Sequence, residues 1–87
     1  MKLTDLRKNI DKVDAEIVRL VARRQSYMPK VAVEKKKLGL PIFQPARENT
    51  VLRSKLALAK RYDVSLKLVQ KIFNLLLADS RRIQRKN

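Results

Sequence analysis

The sequence predicts an all-α protein with three helices per chain, one of them very long, and two chains intertwined as a homodimer. One glycine and three prolines in 87 residues leave few turn signals, which favours a few long helices. Apolar residues recur at steps of three and four along most of the chain. Because a chain of this length buries little surface alone, a partner chain is expected to cover the apolar stripe of the long helix.

The first helix is expected to start after Thr4, a common type of N-cap, and to end at Gly39, which Pro41 follows. An interior proline costs a helix about 3 kcal/mol, yet the stripe keeps its phase across Pro29. We therefore expect a continuous, kinked helix about 50 Å long. Its stripe consists of Leu6, Ile10, Val13, Ile17, Leu20, Tyr27, Val31 and Leu38.

Two further helices are expected after a short extended connection. Gln44 is a weak N-cap for the second helix, and Pro45 fits its first turn. Ser65 is expected to cap the third helix, which is apolar around much of its circumference and should be buried on several sides. The basic segment 81–86 is expected to fray. We find no repeat or interdomain linker, so residues 1–87 form a single predicted domain.

The composition excludes several classes of chemistry. The chain has no cysteine and no histidine, so it lacks a thiol nucleophile, a thiolate metal site and the commonest general base. The absence of an 18-residue apolar run or a secretion signal predicts a cytoplasmic protein without a membrane partner. A net charge of +14 indicates an anionic partner, either nucleic acid, an acidic membrane surface or a small polyanion.

Two cations lie on the apolar stripe of the first helix. Arg24 and Lys35 are separated by eleven positions, so they differ by only about 20° around the helix axis. Two positive charges on a core-facing stripe are costly unless an anion pairs with them. This predicts an anion-binding pocket, although both long side chains could instead extend to water.

Other polar residues extend this predicted pocket. Ser80 and Gln84 continue the inward face of the third helix, where uncharged donors and acceptors suit a pocket lining; the alternative is a helix end that leaves the core. Glu48 lies at the edge of the inward face of the second helix, although a carboxylate is also favourable at any helix N-terminus. Arg7 points about 100° away from Arg24, so it could reach the pocket only from a partner chain.

These residues include no nucleophile–base pair, no metal cluster and no Gly-rich phosphate loop. The chemistry that they suit is electrostatic. Such a pocket holds a small dianion and stabilises charge as it develops.

Three segments carry a resemblance to a known family: LRKNIDKVDAEIVRLVARR, KKLGLPIFQPARE and LLLADSRRIQ. In this order and spacing they resemble the all-helical chorismate mutases, over residues 3–84. The resemblance implies an intertwined dimer of three-helix protomers. It also implies a Claisen rearrangement of chorismate to prephenate in aromatic amino-acid biosynthesis, without a cofactor or a metal.

The resemblance also implies a role for each pocket residue. Arg24, with Arg7 from the other protomer, would clamp the two substrate carboxylates. Lys35 and Gln84 would bind the ether oxygen, and Glu48 would accept from the ring hydroxyl. The expected substrate-binding residues are Arg7, Arg24, Lys35, Arg47, Glu48, Ser80 and Gln84, and the expected catalytic residues are Arg24, Lys35, Glu48 and Gln84.

Two features depart from the family or complicate the comparison. Gln44 stands where the family often has aspartate, and Pro29 lies between the two pocket cations. Gln84 is neutral rather than a glutamate, so activity should not require acidic pH.

The sequence is also compatible with three alternatives. One is an isochorismate-pyruvate lyase on the same fold, which would use a similar cationic pocket. Another is a basic nucleic-acid-binding helical module, although the cations are spread over all three helices and no groove-reading motif is recognisable. The last is a non-catalytic helical interaction domain.

Overall fold

The computed structural model describes residues 1–86 and contains three α-helices within them: α1 (Leu3–Leu38), α2 (Pro45–Arg61) and α3 (Leu66–Arg85). No strand occurs in this part of the chain. The predicted all-α class and the order of one very long helix and two shorter ones are confirmed. The 36 residues of α1 account for the 55 Å long axis of the molecule, since a helix rises about 1.5 Å per residue.

Helix α1 begins two residues before the predicted position. Lys2, not Thr4, occupies the N-cap position, so that prediction is wrong. The physical reason is that the Asp5 carboxylate accepts a hydrogen bond from the Lys2 backbone N–H at 3.3 Å, which satisfies a donor at the helix end. The helix runs without interruption through Pro29, as predicted.

The predicted end of α1 is confirmed. Gly39 adopts a left-handed conformation with φ +68°, which glycine reaches without the steric cost of a side chain. The N–H of Leu40 then donates to the carbonyl of Lys35 at 2.8 Å. This αL turn ends α1 shortly after Lys35, which lies in the last turn of the helix.

The ends of α2 and α3 also match the sequence. Gln44 is the N-cap of α2 and makes no side-chain capping bond, while Pro45 is the first helical residue. The Ser65 hydroxyl accepts from the Leu68 N–H at 3.2 Å and caps α3.

Helix α3 packs against both α1 and α2 and is the centre of the fold. Its C-terminal half carries the buried residues Leu77, Ser80 and Gln84. The predicted fraying of segment 81–86 is wrong, because α3 stays helical to Arg85 and the Gln84 side chain is buried. Tertiary contacts hold this end of the helix in place.

Much of the apolar surface is uncovered in the single chain. Ile10 is 55% exposed and Ile17 is 54% exposed on the N-terminal half of α1. On α3, Leu66 and Ile72 are also exposed, so the predicted burial of this helix on several sides does not occur within one chain. A second copy is the predicted cover for these surfaces, and the homodimer stays a prediction.

Among residues 1–86, no helix combines the length and the apolar character needed to cross a membrane.

Candidate active site

The three helices and the connection before α2 enclose a cavity of about 370 Å³. This volume lies within the range of roughly 300–1,000 Å³ that is usual for small-molecule sites. Its charged and polar lining contains four cations, one carboxylate and three neutral groups: Arg24, Lys35, Arg47, Arg81, Glu48, Gln44, Ser80 and Gln84. Its apolar walls are Met28, Val31, Ile42, Val51 and Leu77.

Arg24 lies on the wall that α1 presents to α3. Its guanidinium donates to the Leu76 carbonyl at 3.2 Å and to the Ser80 hydroxyl. Ser80 in turn donates to the Leu76 carbonyl at 2.8 Å, so its oxygen is oriented to accept from Arg24. The interpretation that Arg24 extends to water is wrong, because two groups of α3 hold it in the cavity wall.

Burial lowers the pKa of Arg24, and the nearby Arg47 charge lowers it further, while the Asp79 carboxylate partly offsets both. An arginine keeps its proton under these conditions. Arg24 thus gives the pocket a permanent positive charge. Because this charge is partly removed from water, its attraction to an anionic ligand is stronger than it would be at the surface.

Lys35 and Gln84 form the opposite end of the site. The Lys35 ammonium donates to the Gln84 side-chain oxygen at 2.7 Å and to the Ile42 carbonyl at 2.7 Å. Because an ammonium has three donors, one N–H is left for a ligand. The Gln84 oxygen is occupied by Lys35, so its amide NH₂, which contacts the Met28 sulfur at 3.8 Å, is the group that can donate into the cavity.

The pKa of Lys35 is lowered by burial, and the charge of Glu48 offsets this only partly. An anionic ligand beside this ammonium would raise its pKa again. The site therefore favours the binding of negative charge at Lys35.

Near Arg24 lies a polar cluster of Gln25, Asp79 and Arg82, which was not predicted from the sequence. The Asp79 carboxylate accepts from Gln25 at 3.0 Å and from Arg82 at 2.8 Å. These hydrogen bonds, first that of Gln25 and then that of Arg82, lower the pKa of Asp79. Asp79 thereby remains charged and stabilises the Arg24 guanidinium. The signal in the sequence was that Gln25 and Asp79 are the chain neighbours of the predicted pocket residues Arg24 and Ser80.

Glu48 and Arg81 form an ion pair between α2 and α3. The Arg81 guanidinium also lies 5.3 Å from the centre of the Phe43 ring, a cation–π contact with the connection before α2. Sequence reasoning placed Arg81 in a fraying basic tail and missed it. Its position next to Ser80 and three residues before Gln84 was the signal that could have found it.

The remaining predicted residues divide into two groups. Arg47 and Gln44 line the cavity from the start of α2. Arg7 is exposed on α1 and lies outside the lining of this cavity. The structure thus brings together six of the seven predicted substrate-binding residues in one chain, and the contribution of Arg7 from a partner stays a prediction.

The arrangement can bind and polarise a small anion. Hydrogen bonds to the protein hold Arg24, Lys35 and Gln84 in place, so these donors are preorganised. Residues 1–86 contain no cluster of acidic side chains able to hold a metal ion. The chemistry available from these residues is the stabilisation of negative charge by fixed donors.

Comparison with known proteins points to one family. A family model described as chorismate mutase type II matches residues 6–85. The chain is 36% identical to a chorismate mutase of Methanocaldococcus jannaschii, over 97% of this chain and 85% of the relative.

It is also 32% identical to a T-protein of Haemophilus influenzae over 90% of this chain, and 39% identical to a bifunctional chorismate mutase/prephenate dehydratase of Aquifex aeolicus over 68% of it. The matched regions are 21% and 16% of those two longer proteins.

Proposed function

The chain belongs to the chorismate mutase type II family, and from that premise we propose that its cavity converts chorismate to prephenate, a step of aromatic amino-acid biosynthesis. The observation that carries the proposal is the convergence of Arg24 and Lys35, two cations from one apolar stripe, on one cavity with Ser80 and Gln84. Two such charges on a helix face are costly without an anionic ligand. Chorismate is a dianion and supplies that ligand.

The first contribution to rate is conformational. Chorismate must fold into a chair-like geometry before its ether C–O bond breaks and its new C–C bond forms. A clamp on both carboxylates selects this conformer and removes the entropy of ordering from the chemical step. Arg24 is held in place by Leu76 and Ser80. It is proposed to be the part of the clamp that comes from the same chain as the cavity.

The second contribution is electrostatic. As the C–O bond breaks, negative charge grows on the ether oxygen. The free N–H of Lys35 and the amide NH₂ of Gln84 are proposed to donate to that oxygen, which stabilises the transition state more than the substrate. Lys35 itself holds the Gln84 amide in the donating orientation.

Glu48 and Arg47 are proposed to act at the start of α2. The Glu48 carboxylate would accept a hydrogen bond from the ring hydroxyl, and Arg47 would add positive charge near a carboxylate. Both line the same cavity as Lys35 and Gln84, which supports these roles.

The site is proposed to be completed by a second copy of the chain. The uncovered apolar stripe of α1 around Ile10 and Ile17 is the surface that the copy would cover. Arg7 lies on the same N-terminal half of α1, so an intertwined partner could carry it to the clamp.

The decisive experiment follows the absorbance of chorismate with the purified chain and identifies the product. Formation of prephenate without added cofactor is the expected result. A parallel incubation with isochorismate tests the lyase alternative, for which pyruvate release is the signature. If neither substrate were consumed, the proposed function would be wrong.

Mixing two inactive variants tests the shared site. Arg7→Met and Arg24→Met each damage both sites of their own homodimers. In a mixed dimer, one site receives an intact Arg7 and an intact Arg24, so random exchange should restore about a quarter of the wild-type sites. A mixture that stays inactive although the subunits exchange would contradict the contribution of Arg7 from the partner.

A further inference from the structure

We propose that Arg81 is a positioning residue, which holds the Glu48 carboxylate in the orientation that the substrate hydroxyl requires. This inference rests on the proposed function and adds to it a residue outside the predicted site. It depends on three observations: the ion pair of Arg81 with Glu48, the cation–π contact of Arg81 with Phe43, and the place of Arg81 and Glu48 in the cavity wall.

Arg81 and Glu48 lie between two neighbouring cavities. Both side chains line the main cavity, and both also line a neighbouring hollow of about 230 Å³ that includes Phe43. Their side chains are only 24% and 19% exposed, so water weakens this pair less than it weakens the surface pairs of α1. A partly buried pair of this kind can fix the rotamer of the carboxylate.

Glu48 needs such a restraint because of its neighbours. It is the one carboxylate among the described residues that line the cavity, and Arg24, Lys35 and Arg47 line the same space. An unrestrained carboxylate would move towards one of these cations. It would then compete with the carboxylates of the substrate for their donors.

The contact geometry leaves Glu48 one oxygen for the substrate. An Nη atom of Arg81 binds Oε1 of Glu48. No hydrogen bond to the other oxygen, Oε2, occurs in the described part of the chain. The ion pair also balances the negative charge of Glu48, which would otherwise repel a dianion.

Arginine suits this position better than lysine. A planar guanidinium can stack on the Phe43 ring and bind a carboxylate in its own plane at the same time, whereas an ammonium is a point charge. Arg81 therefore links the connection before α2, the first turn of α2 and the end of α3 at one place.

The test is a double-mutant cycle on kcat/KM for chorismate, with the full chain as wild type, Arg81→Met, Glu48→Gln and both together. Arg81→Met should lower kcat/KM by on the order of tenfold to hundredfold, since small misplacements of a catalytic group have effects of that size. In the Glu48→Gln background the same change should have little further effect, because its target is gone. Thermal unfolding checks that each variant is folded.

Two additional variants keep the test decisive. Arg81→Lys, which retains the charge, should recover part of the lost activity and should also lose its effect in the Glu48→Gln background. Arg61→Met is the matched control, because Arg61 also stacks on an aromatic ring, that of Tyr62, at 5.9 Å but lies outside the cavity lining. It should keep wild-type kcat/KM.

Additive effects of the Arg81 and Glu48 changes in an active protein would overturn the positioning role, because they would show that Arg81 acts independently of Glu48. A wild-type chain that does not consume chorismate would overturn the proposed function and this inference with it.

Discussion

Replacement of Lys35 by methionine removes a single ammonium group while keeping most of the length of the side chain. In the structure this group donates to the Ile42 carbonyl and the Gln84 oxygen, each at 2.7 Å, and has one N–H left for the ether oxygen of the substrate. Loss of one preorganised donor typically costs about 3–4 kcal/mol, or on the order of a hundredfold to a thousandfold in kcat.

The structure places Lys35→Met at the upper end of that range. The Lys35 ammonium also holds the Gln84 oxygen, so without it the Gln84 amide is free to rotate and its NH₂ is no longer directed at the substrate. One substitution therefore weakens both proposed donors to the ether oxygen. We expect a loss in kcat/KM of about a thousandfold.

The assay is the initial rate of chorismate disappearance, with thermal unfolding to show that the variant is folded. Lys37→Met is the matched control, because Lys37 lies in the same last turn of α1, pairs with Glu34 at the surface at 3.3 Å and does not line the cavity. It should keep wild-type activity. If Lys35→Met stayed within about tenfold of wild type, the assignment of Lys35 as a preorganised donor would be refuted.

Four further predictions concern the same site. Arg24→Lys should lose about a hundredfold in kcat/KM, measured by the same assay, because an ammonium cannot reproduce the planar donor set that binds Leu76, Ser80 and a carboxylate. Gln84→Glu should be nearly inactive at neutral pH, where a carboxylate would face the developing negative charge, and a pH–rate profile should show recovery as the pH falls and the carboxyl is protonated. In the wild type, kcat/KM should fall as the pH rises through the pKa of Lys35, which burial lowers below the pKa of an ordinary lysine. A decrease in kcat/KM that begins only at the pKa of an ordinary lysine would contradict this. Added salt should decrease kcat/KM severalfold, because a net charge of +14 attracts a dianion at low ionic strength; no change with salt would show that steering is unimportant.

The limits of the sequence are clearest on α3. Helical periodicity predicted that Ser80 and Gln84 share the face of Leu77, and all three are buried in the structure. The same periodicity gave no information on Arg81, which was assigned to a fraying tail. Its partners Glu48 and Phe43 are more than thirty positions away along the chain, so only the packing of α3 on α2 brings them together.

The cap of α1 shows a limit of a different kind. Residue preference favoured Thr4 as the N-cap, but the Asp5 side chain binds the Lys2 N–H and extends the helix by two residues. The choice between neighbouring caps depends on one weak hydrogen bond, which a propensity cannot resolve.

The three helices, the end of α1 at Gly39 and the alignment of Arg24 with Lys35 could be predicted from the sequence, because they follow from local dihedral preferences and from the 3.6-residue period of a helix. The partners of those cations depend on how the helices pack: Ser80 and Leu76 for Arg24, Gln84 and Ile42 for Lys35. The physical reason is that the direction of a side chain around one helix is fixed locally, whereas its hydrogen-bond partners come from other segments whose distance and depth are set by packing.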